Sequence, residues 1–414
     1  MASLNPDRGH ELIDGARVLR SGPLWLARLI AGRAEGLLER IDAGLETGRI
    51  RVTLPDGSRR VLGGRAPGFD AVVDLRSWRA LLRMATAGSV GAYQGWEAGD
   101  WSSPDPVQLL ALFVANADAL GDIGRAHGPW RWLGRLLNLL RRNSRAGARR
   151  NIHAHYDLGN DFYAAWLDPQ LVYSSARFDP GAPDLAAAQM HKLDTIVERV
   201  AGAKSVLEIG CGWGALAQHC HLAGMAVTAI SLSEEQLAYA RRHRDPAIDF
   251  RKQDYRDVVG QFDAIVSVEM VEAVGQAYWP DFFDCLARCL KPGGRAAIQY
   301  ITIRDELFPA YAASADFIQA YVFPGGMLVS EAAFRRLAAE RGLGWEDQAC
   351  FGIDYAETLR LWREAFDRAA AEGRLPAGFD DRFVRLWRFY LMYCEGGFRG
   401  GGIDVRQVTI TRLL

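Results

Sequence analysis

Between Val206 and Gly214 the chain reads V-L-E-I-G-C-G-W-G, an apolar strand pattern running into three closely spaced glycines and then into helical periodicity. Gly210, Gly212 and Gly214 carry no Cβ, so the backbone can turn sharply off the strand and let a ligand approach the peptide groups. A tight turn between strand and helix with no ligand is the plainer alternative. Against it stands the order of the downstream segments: A-V-T-A-I-S (226–231), Asp254 behind I-D-F-R-K-Q, F-D-A-I-V-S (262–267) and L-K-P-G-G (290–294), all at the spacing of alternating strands and helices.

A chain of 414 residues exceeds the size at which single cores stop growing, so two or more domains are expected, and 49% hydrophobic residues can fill both. The formal net charge of −1 argues against a general nucleic-acid binder, although seven arginines fall between Arg131 and Arg150. Six cysteines (Cys211, Cys220, Cys285, Cys289, Cys350, Cys394) form no C-x-x-C pair and no zinc spacing, so no metal site is expected and a reduced, cytoplasmic setting fits. The N-terminus M-A-S-L-N-P-D-R lacks a signal pattern, and no run approaches the roughly 18 apolar residues of a membrane span. Any membrane contact is then peripheral, at the inner face of the cytoplasmic membrane.

Residues 1–129 read as a small α+β domain: a helix through L-W-L-A-R-L-I, two short strands around the turn Pro55-Asp56-Gly57, and a helix from Leu75. The stretch G-S-V-G-A-Y-Q-G-W-E-A-G-D-W (88–101) is too rich in Gly and Trp for a plain connector. In 130–150, Trp and Leu recur at helical spacing with arginines between and after them. That is the make-up of an interfacial helix on anionic lipid, or equally of an interdomain helix with solvated arginines. Residues 151–414 form the third segment. There Phe383, Trp387, Phe389, Tyr390, Tyr393 and Phe398 recur at a spacing that usually means core.

The ordered parts from Val206 onward resemble a class I S-adenosylmethionine (SAM) methyltransferase, which implies an α/β, Rossmann-like doubly wound sheet. The resemblance puts Glu208 near the methionine end of SAM, and Ser231, Gln236, Asp254 and Tyr255 near its ribose and adenine. Further segments narrow the family: N-I-H-A-H-Y-D-L-G-N-D-F-Y-A-A-W-L-D-P-Q-L-V-Y-S-S-A-R-F (151–178), S-L-S-E-E-Q (231–236), Q-D-Y-R-D (253–257), S-V-E-M-V-E-A-V-G (267–275), F-P-G-G (323–326), F-G-I-D-Y-A-E-T-L (351–359) and Y-C-E-G-G-F-R (393–399). These resemble cyclopropane fatty acid synthases and mycolic acid methyltransferases across residues 151–414. The 88–101 stretch resembles the family's longer, phospholipid-acting members. Implied cofactor contacts are Tyr173, Ser174, Glu208, Gly210, Cys211, Gly212, Trp213, Gly214, Ser231, Leu232, Ser233, Gln236, Asp254 and Tyr255.

Such enzymes add a one-carbon unit to a double bond in an unsaturated acyl chain of a membrane phospholipid. A π bond is a poor nucleophile and must be held against the methyl donor in a dry pocket. The carbocation that results needs stabilisation by aromatic faces or carboxylates, and then a base. Taking the proton from the delivered methyl closes a cyclopropane ring; loss of another proton gives a methyl-branched or methylene-bearing chain. In the family, bicarbonate is thought to be that base. By motif its holders are Glu272, Tyr355 and the amide of Ile301, while the family's Cys and His are here Ser175 and Gln299.

Both replacements can still bind an anion. A third departure is Glu269, where the family usually has Gly. A buried acid there would repel bicarbonate or act as the base itself, unless it turns outward or caps a helix. All eight histidines fall at or before His243; by resemblance His153 and His155 help order a lid. Cys394 aligns with a cysteine often marked as active-site, yet methyl transfer to a π bond needs no thiolate, and pocket lining is its chemical reading. The resemblance also implies a homodimer. Ring formation is the family default and a branched product the alternative that Ser175, Gln299 and Glu269 favour. Small-molecule amine N-methylation and a non-catalytic lipid binder are the two further readings.

Overall fold

The structure is a computed structural model in which residues 9, 12–13, 31–121, 158–178 and 183–414 are described. The run L-W-L-A-R-L-I, the Trp/Arg segment 130–150, and His153 and His155 lie outside the described residues.

Contacts divide the described chain into two units that interleave along the sequence. The first holds the N-terminal residues with Glu306–Pro324 and Ala377–Ile403; the second holds the described residues from 158 to Asp305, with Gly325–Pro376 and Asp404–Leu414. Two late segments, Glu306–Pro324 and Ala377–Ile403, thus cluster with the N-terminal residues, the second of them through one helix. Asp381–Arg399 buries Phe383, Leu386, Trp387, Phe389 and Tyr390, and packs against the helix Pro106–Ala115 of the first unit. Two glycines permit the approach: a Cβ on Gly396 would lie 2.6 Å from Leu110 Cβ, and one on Gly400 2.6 Å from Ala111 O.

The first unit has four strands, β1 (Arg49–Thr53), β2 (Arg59–Gly63), β3 (Asp70–Leu75) and β4 (Trp101–Ser102), in the order β2-β1-β3-β4. The β1–β2 hairpin closes at Pro55-Asp56-Gly57, where Leu54 N donates to Ser58 O (2.8 Å) and Ser58 N to Asp56 Oδ1 (2.9 Å). Leu75 ends a strand, and the helix expected there starts at Arg79. That helix, Arg79–Glu97, absorbs much of the Gly- and Trp-rich stretch. It breaks at Gly88 (φ 58°, ψ −133°), and a Cβ on Gly91 would sit 1.9 Å from Arg83 O, so the chain folds past itself only with glycine.

The second unit is a seven-stranded sheet: β5 (Ser205–Ile209), β6 (Ala226–Ser231), β7 (Asp249–Lys252), β8 (Phe262–Val268), β9 (Leu290–Ile303), β10 (Leu343–Cys350) and β11 (Ile403–Arg412), in the order β10-β11-β9-β8-β5-β6-β7. From β7 to β9 neighbouring strands are parallel, and β10 is antiparallel to β11. Val206, Leu207, Ala264, Ile265 and Val266 are fully buried, the continuous apolar run of strands covered on both faces. Strand order reverses between β5 and β8, so the crevice at their carboxyl ends is where such a sheet binds ligands. No helix among the described residues is long and apolar enough to cross a membrane.

Candidate active site

The carboxyl ends of β5 and β8 open into one cavity of about 190 Å³. Its first wall is the glycine turn. Gly210 (φ 85°), Gly212 (φ 51°) and Gly214 (φ 79°) all take the left-handed region that L side chains avoid. A Cβ on Gly210 would meet Met270 Cγ at 2.6 Å, whereas one on Gly212 would meet nothing within 4 Å. Tyr173, Ser174, Glu208, Gly210, Cys211, Gly212 and Trp213 lie on the wall, as do Ser231, Leu232, Gln236, Asp254 and Tyr255 across the cavity. Gly214 and Ser233 do not line it. Gly214 leads into the helix Ala215–Leu222, and Ser233 caps Glu234–His243 by accepting from Gln236 N (3.4 Å).

These residues fit SAM on two observations. Glu208 is 4% exposed and burial raises its carboxyl to about 8, yet its Oε2 has no hydrogen-bond partner, the place for a cationic amino group. The open space over Gly212 admits the ligand against backbone. Asp254 presents a carboxylate at the far wall, already paired with Arg256 (Nη2 to Oδ2, 2.6 Å). Trp213 is fixed by its Nε1, which donates to Asn160 Oδ1 at 2.8 Å.

The other end of the cavity is acidic. Glu269, directly after β8, stands in the left-handed region (φ 47°) where a glycine would sit without strain. It turns inward rather than out, and its open surface is part of the cavity wall. Tyr355 Oη donates to its Oε2 at 2.6 Å; the amide of Ser175 (2.9 Å) and Nε2 of Gln299 (2.8 Å) donate to its Oε1. Gln299 is itself oriented by Gln407, whose Nε2 donates to Gln299 Oε1 at 3.0 Å. The Ser175 hydroxyl is spent on Ala176 O (2.8 Å), so the residue contributes its amide and not its side chain. Ile301 N donates to Glu272 Oε1 at 2.5 Å, and Glu272 Oε2 has no partner.

Burial raises the carboxyl of Glu272 to about 8, and the charge of Glu269 beside it adds to the effect. Burial also raises Glu269, opposed by the Tyr355 hydroxyl, the Ser175 amide, Lys192 and Gln299. Two acids so placed disfavour each other's ionisation. Bicarbonate does not fit this arrangement. The donors expected to hold it are occupied by Glu269 and Glu272, and an added anion would face both carboxyls.

Lys192 was not legible in the sequence. It is fully buried on the helix Leu185–Arg199, lines the cavity and donates from Nζ to Ser174 Oγ at 2.6 Å. Burial lowers its ammonium to about 8 against the pull of Glu269, Asp168 and Glu208. The available signal was its place beside Ala188, Gln189 and Leu193 on the apolar stripe of that helix. Arg256, Met270 and Tyr278 also line the cavity unforeseen. Cys394 belongs to the first unit and not to this wall; burial, with the Asp316 charge, raises its thiol well above the usual range, so it carries no thiolate.

The family model for mycolic acid cyclopropane synthetase matches residues 143–408. Tuberculostearic acid methyltransferase UfaA1 of Mycobacterium tuberculosis is 38% identical over 411 residues, which span 94% of this chain and 93% of the relative. Cyclopropane-fatty-acyl-phospholipid synthase of Escherichia coli is 36% identical over 264 residues, 62% of this chain and 66% of the relative. Among solved structures, mycolic acid cyclopropane synthase CmaA1 complexed with SAH and CTAB aligns with a TM-score of 0.58 and 26% identity over 64% of this chain and 98% of that one. Cyclopropane synthase MmaA2 of Mycobacterium tuberculosis gives 0.57 and 28% over the same shares.

Proposed function

We propose that this chain, which belongs to the mycolic acid cyclopropane synthetase family and is a SAM-dependent methyltransferase, adds a one-carbon unit to the double bond of an unsaturated acyl chain in a membrane phospholipid and yields an open-chain, methyl- or methylene-branched product. The observation that supports the reading is that the glycine turn and Glu269 are walls of one cavity.

Bound SAM supplies an electrophilic methyl on a sulfonium, and everything else falls to the protein. Glu208 holds the cofactor's amino group by an otherwise unpaired oxygen; Asp254 and Gln236 hold its hydroxyl-bearing end. Trp213 and Tyr173 exclude water from the alkene, without which a cation on the acyl chain would be captured. The Glu269 carboxyl, on the cavity wall, stabilises that cation by proximity in a low dielectric. If a hydride migrates along the chain before the proton is lost, the product stays open; if the proton leaves first, a ring closes.

The open-chain outcome is supported by Ser175, Gln299 and Glu269, which together depart from the ring-forming pattern, and by a relative matched nearly end to end that is named a methyltransferase rather than a cyclopropane synthase. An amine substrate would bring its own proton and leave the buried acid pair without a task. The role of the first unit as a lipid-presenting or dimerising domain, and peripheral seating on the inner face of the cytoplasmic membrane, belong to the same proposal. The test is to incubate the protein with SAM and vesicles of a monounsaturated phospholipid, then to weigh the released fatty acids. A gain of one carbon is expected; unchanged acyl chains would refute the reading.

A further inference from the structure

We infer that the Glu269 carboxylate is the base of this enzyme, built into the chain at the place where the family's pattern puts a soluble anion, and that turnover requires no bicarbonate. The inference rests on the reaction proposed above.

Three observations and one chemical likeness carry it. The donors gathered at this place, Tyr355 Oη, the Ser175 amide and Gln299 Nε2, all end on the two oxygens of Glu269 at 2.6–2.9 Å. A carboxylate and a bicarbonate share a planar, two-oxygen anionic face, so one can satisfy the donors that would satisfy the other. The remaining amide, Ile301 N, is taken by Glu272, so no donor of the set is left for a visiting ion. Finally, of Ser175, Glu269, Glu272, Gln299, Ile301 and Tyr355, Glu269 alone lines the cavity.

The backbone adds an independent argument. A non-glycine residue at φ 47° is strained and persists where its surroundings over-determine it. Here the surroundings are three hydrogen bonds to the side chain, so the strain is tied to holding this carboxylate in place.

The chemistry balances without another reactant. The alkene electron pair forms the new carbon–carbon bond while the carbon–sulfur pair stays with sulfur, leaving the neighbouring acyl carbon positive. Glu269 takes a proton either from the delivered methyl group, whose C–H pair then bonds to the positive carbon and closes the ring, or, after a hydride has moved from the methylated carbon to the positive one, from a carbon next to the new positive centre, whose C–H pair becomes a double bond in an open chain. The protonated acid then returns its proton to water.

The test compares wild type, Glu269→Gly and Glu269→Gln in carbon-dioxide-depleted buffer and with added bicarbonate or formate, reading one-carbon addition to monounsaturated phospholipid vesicles. Wild type is expected to run equally fast, within about two-fold, with and without bicarbonate. Glu269→Gly relieves the backbone strain and opens the place, so it should lose about 10²-fold in depleted buffer and regain at least ten-fold with bicarbonate or formate. Glu269→Gln fills the place without basicity and should lose as much but gain nothing from either anion, which a merely structural role would not produce. Matching thermal melts of the three proteins keep misfolding from imitating this pattern. A wild type that stops in depleted buffer and restarts with bicarbonate overturns the assignment, as does a folded Glu269→Gly that neither anion rescues. A wild type that adds no carbon under any condition sinks the proposed reaction itself, and so is distinguishable from failure of the base.

Discussion

Replacing Glu272 by Gln should make the protein more stable at alkaline pH and leave it unchanged in acid. Glutamine retains an oxygen for the Ile301 amide, which now reaches Glu272 Oε1 at 2.5 Å, but it removes an acid that burial and Glu269 hold at about 8 against an ordinary 4.5. The folded state therefore keeps this proton up to about pH 8, whereas the unfolded chain gives it up near pH 4.5. The stability it contributes is complete below 4.5 and is lost as pH rises through 8; the variant never suffers that loss. A separation of this size corresponds to about 3–5 kcal/mol at the plateau above pH 8, with relaxation and water entry favouring the lower figure. Lys192, which burial lowers from 10.5 to about 8, has the opposite slope, with stability present above 10.5 and lost as pH falls through 8. It is common to both proteins and largely cancels in the difference. Urea unfolding of wild type and Glu272→Gln at pH 5 and pH 8.5 measures the effect. A stability difference that does not change between those two pH values would refute the placement of a neutral, buried acid at 272.

Three further outcomes rest on the geometry. Glu208→Gln removes the carboxylate whose Oε2 is unpaired, so SAM affinity measured by calorimetry should fall 10–100-fold, the equivalent of about 1.5–3 kcal/mol for a charged hydrogen bond, while the KM for vesicles changes less. Gly210→Ala forces a side chain into φ 85° and toward Met270 Cγ at 2.6 Å; a cost of about 2–4 kcal/mol should show in thermal stability and as at least ten-fold weaker SAM binding. Gly396→Ala would place its Cβ 2.6 Å from Leu110 Cβ, so the first unit should lose about 1–3 kcal/mol with SAM affinity intact.

What the sequence made legible is what the local pattern dictates. Apolar patterns such as Val206–Ile209, interrupted only by Glu208, belong to strands buried on both faces, and the glycines behind them mark a turn that only glycine can make. The weight of Glu269 was visible as an acid in a position that favours glycine. Its direction was not, because a lone carboxylate is usually solvated and only long-range partners, Tyr355 and Gln299, turn it inward. Lys192 escaped for the same reason: one lysine in a helix reads as surface until the neighbouring chain shows it fully buried. The interleaved units were hidden because the attachment of Asp381–Arg399 to the first unit depends on contacts nearly 300 residues apart in sequence, such as Gly396 on Leu110. The hydroxyl of Ser175, read as an anion ligand, is bound by its own neighbour's carbonyl, a preference that short polar side chains often show.

The decisive experiment is the identity of the carbon added to a monounsaturated phospholipid. After incubation with SAM, the released fatty acids are weighed by mass spectrometry and the new carbon is placed by NMR. An open chain bearing a methylene or methyl branch, formed in bicarbonate-free buffer, is the predicted result. Cyclopropane ring protons, or formation only when bicarbonate is supplied, would contradict it.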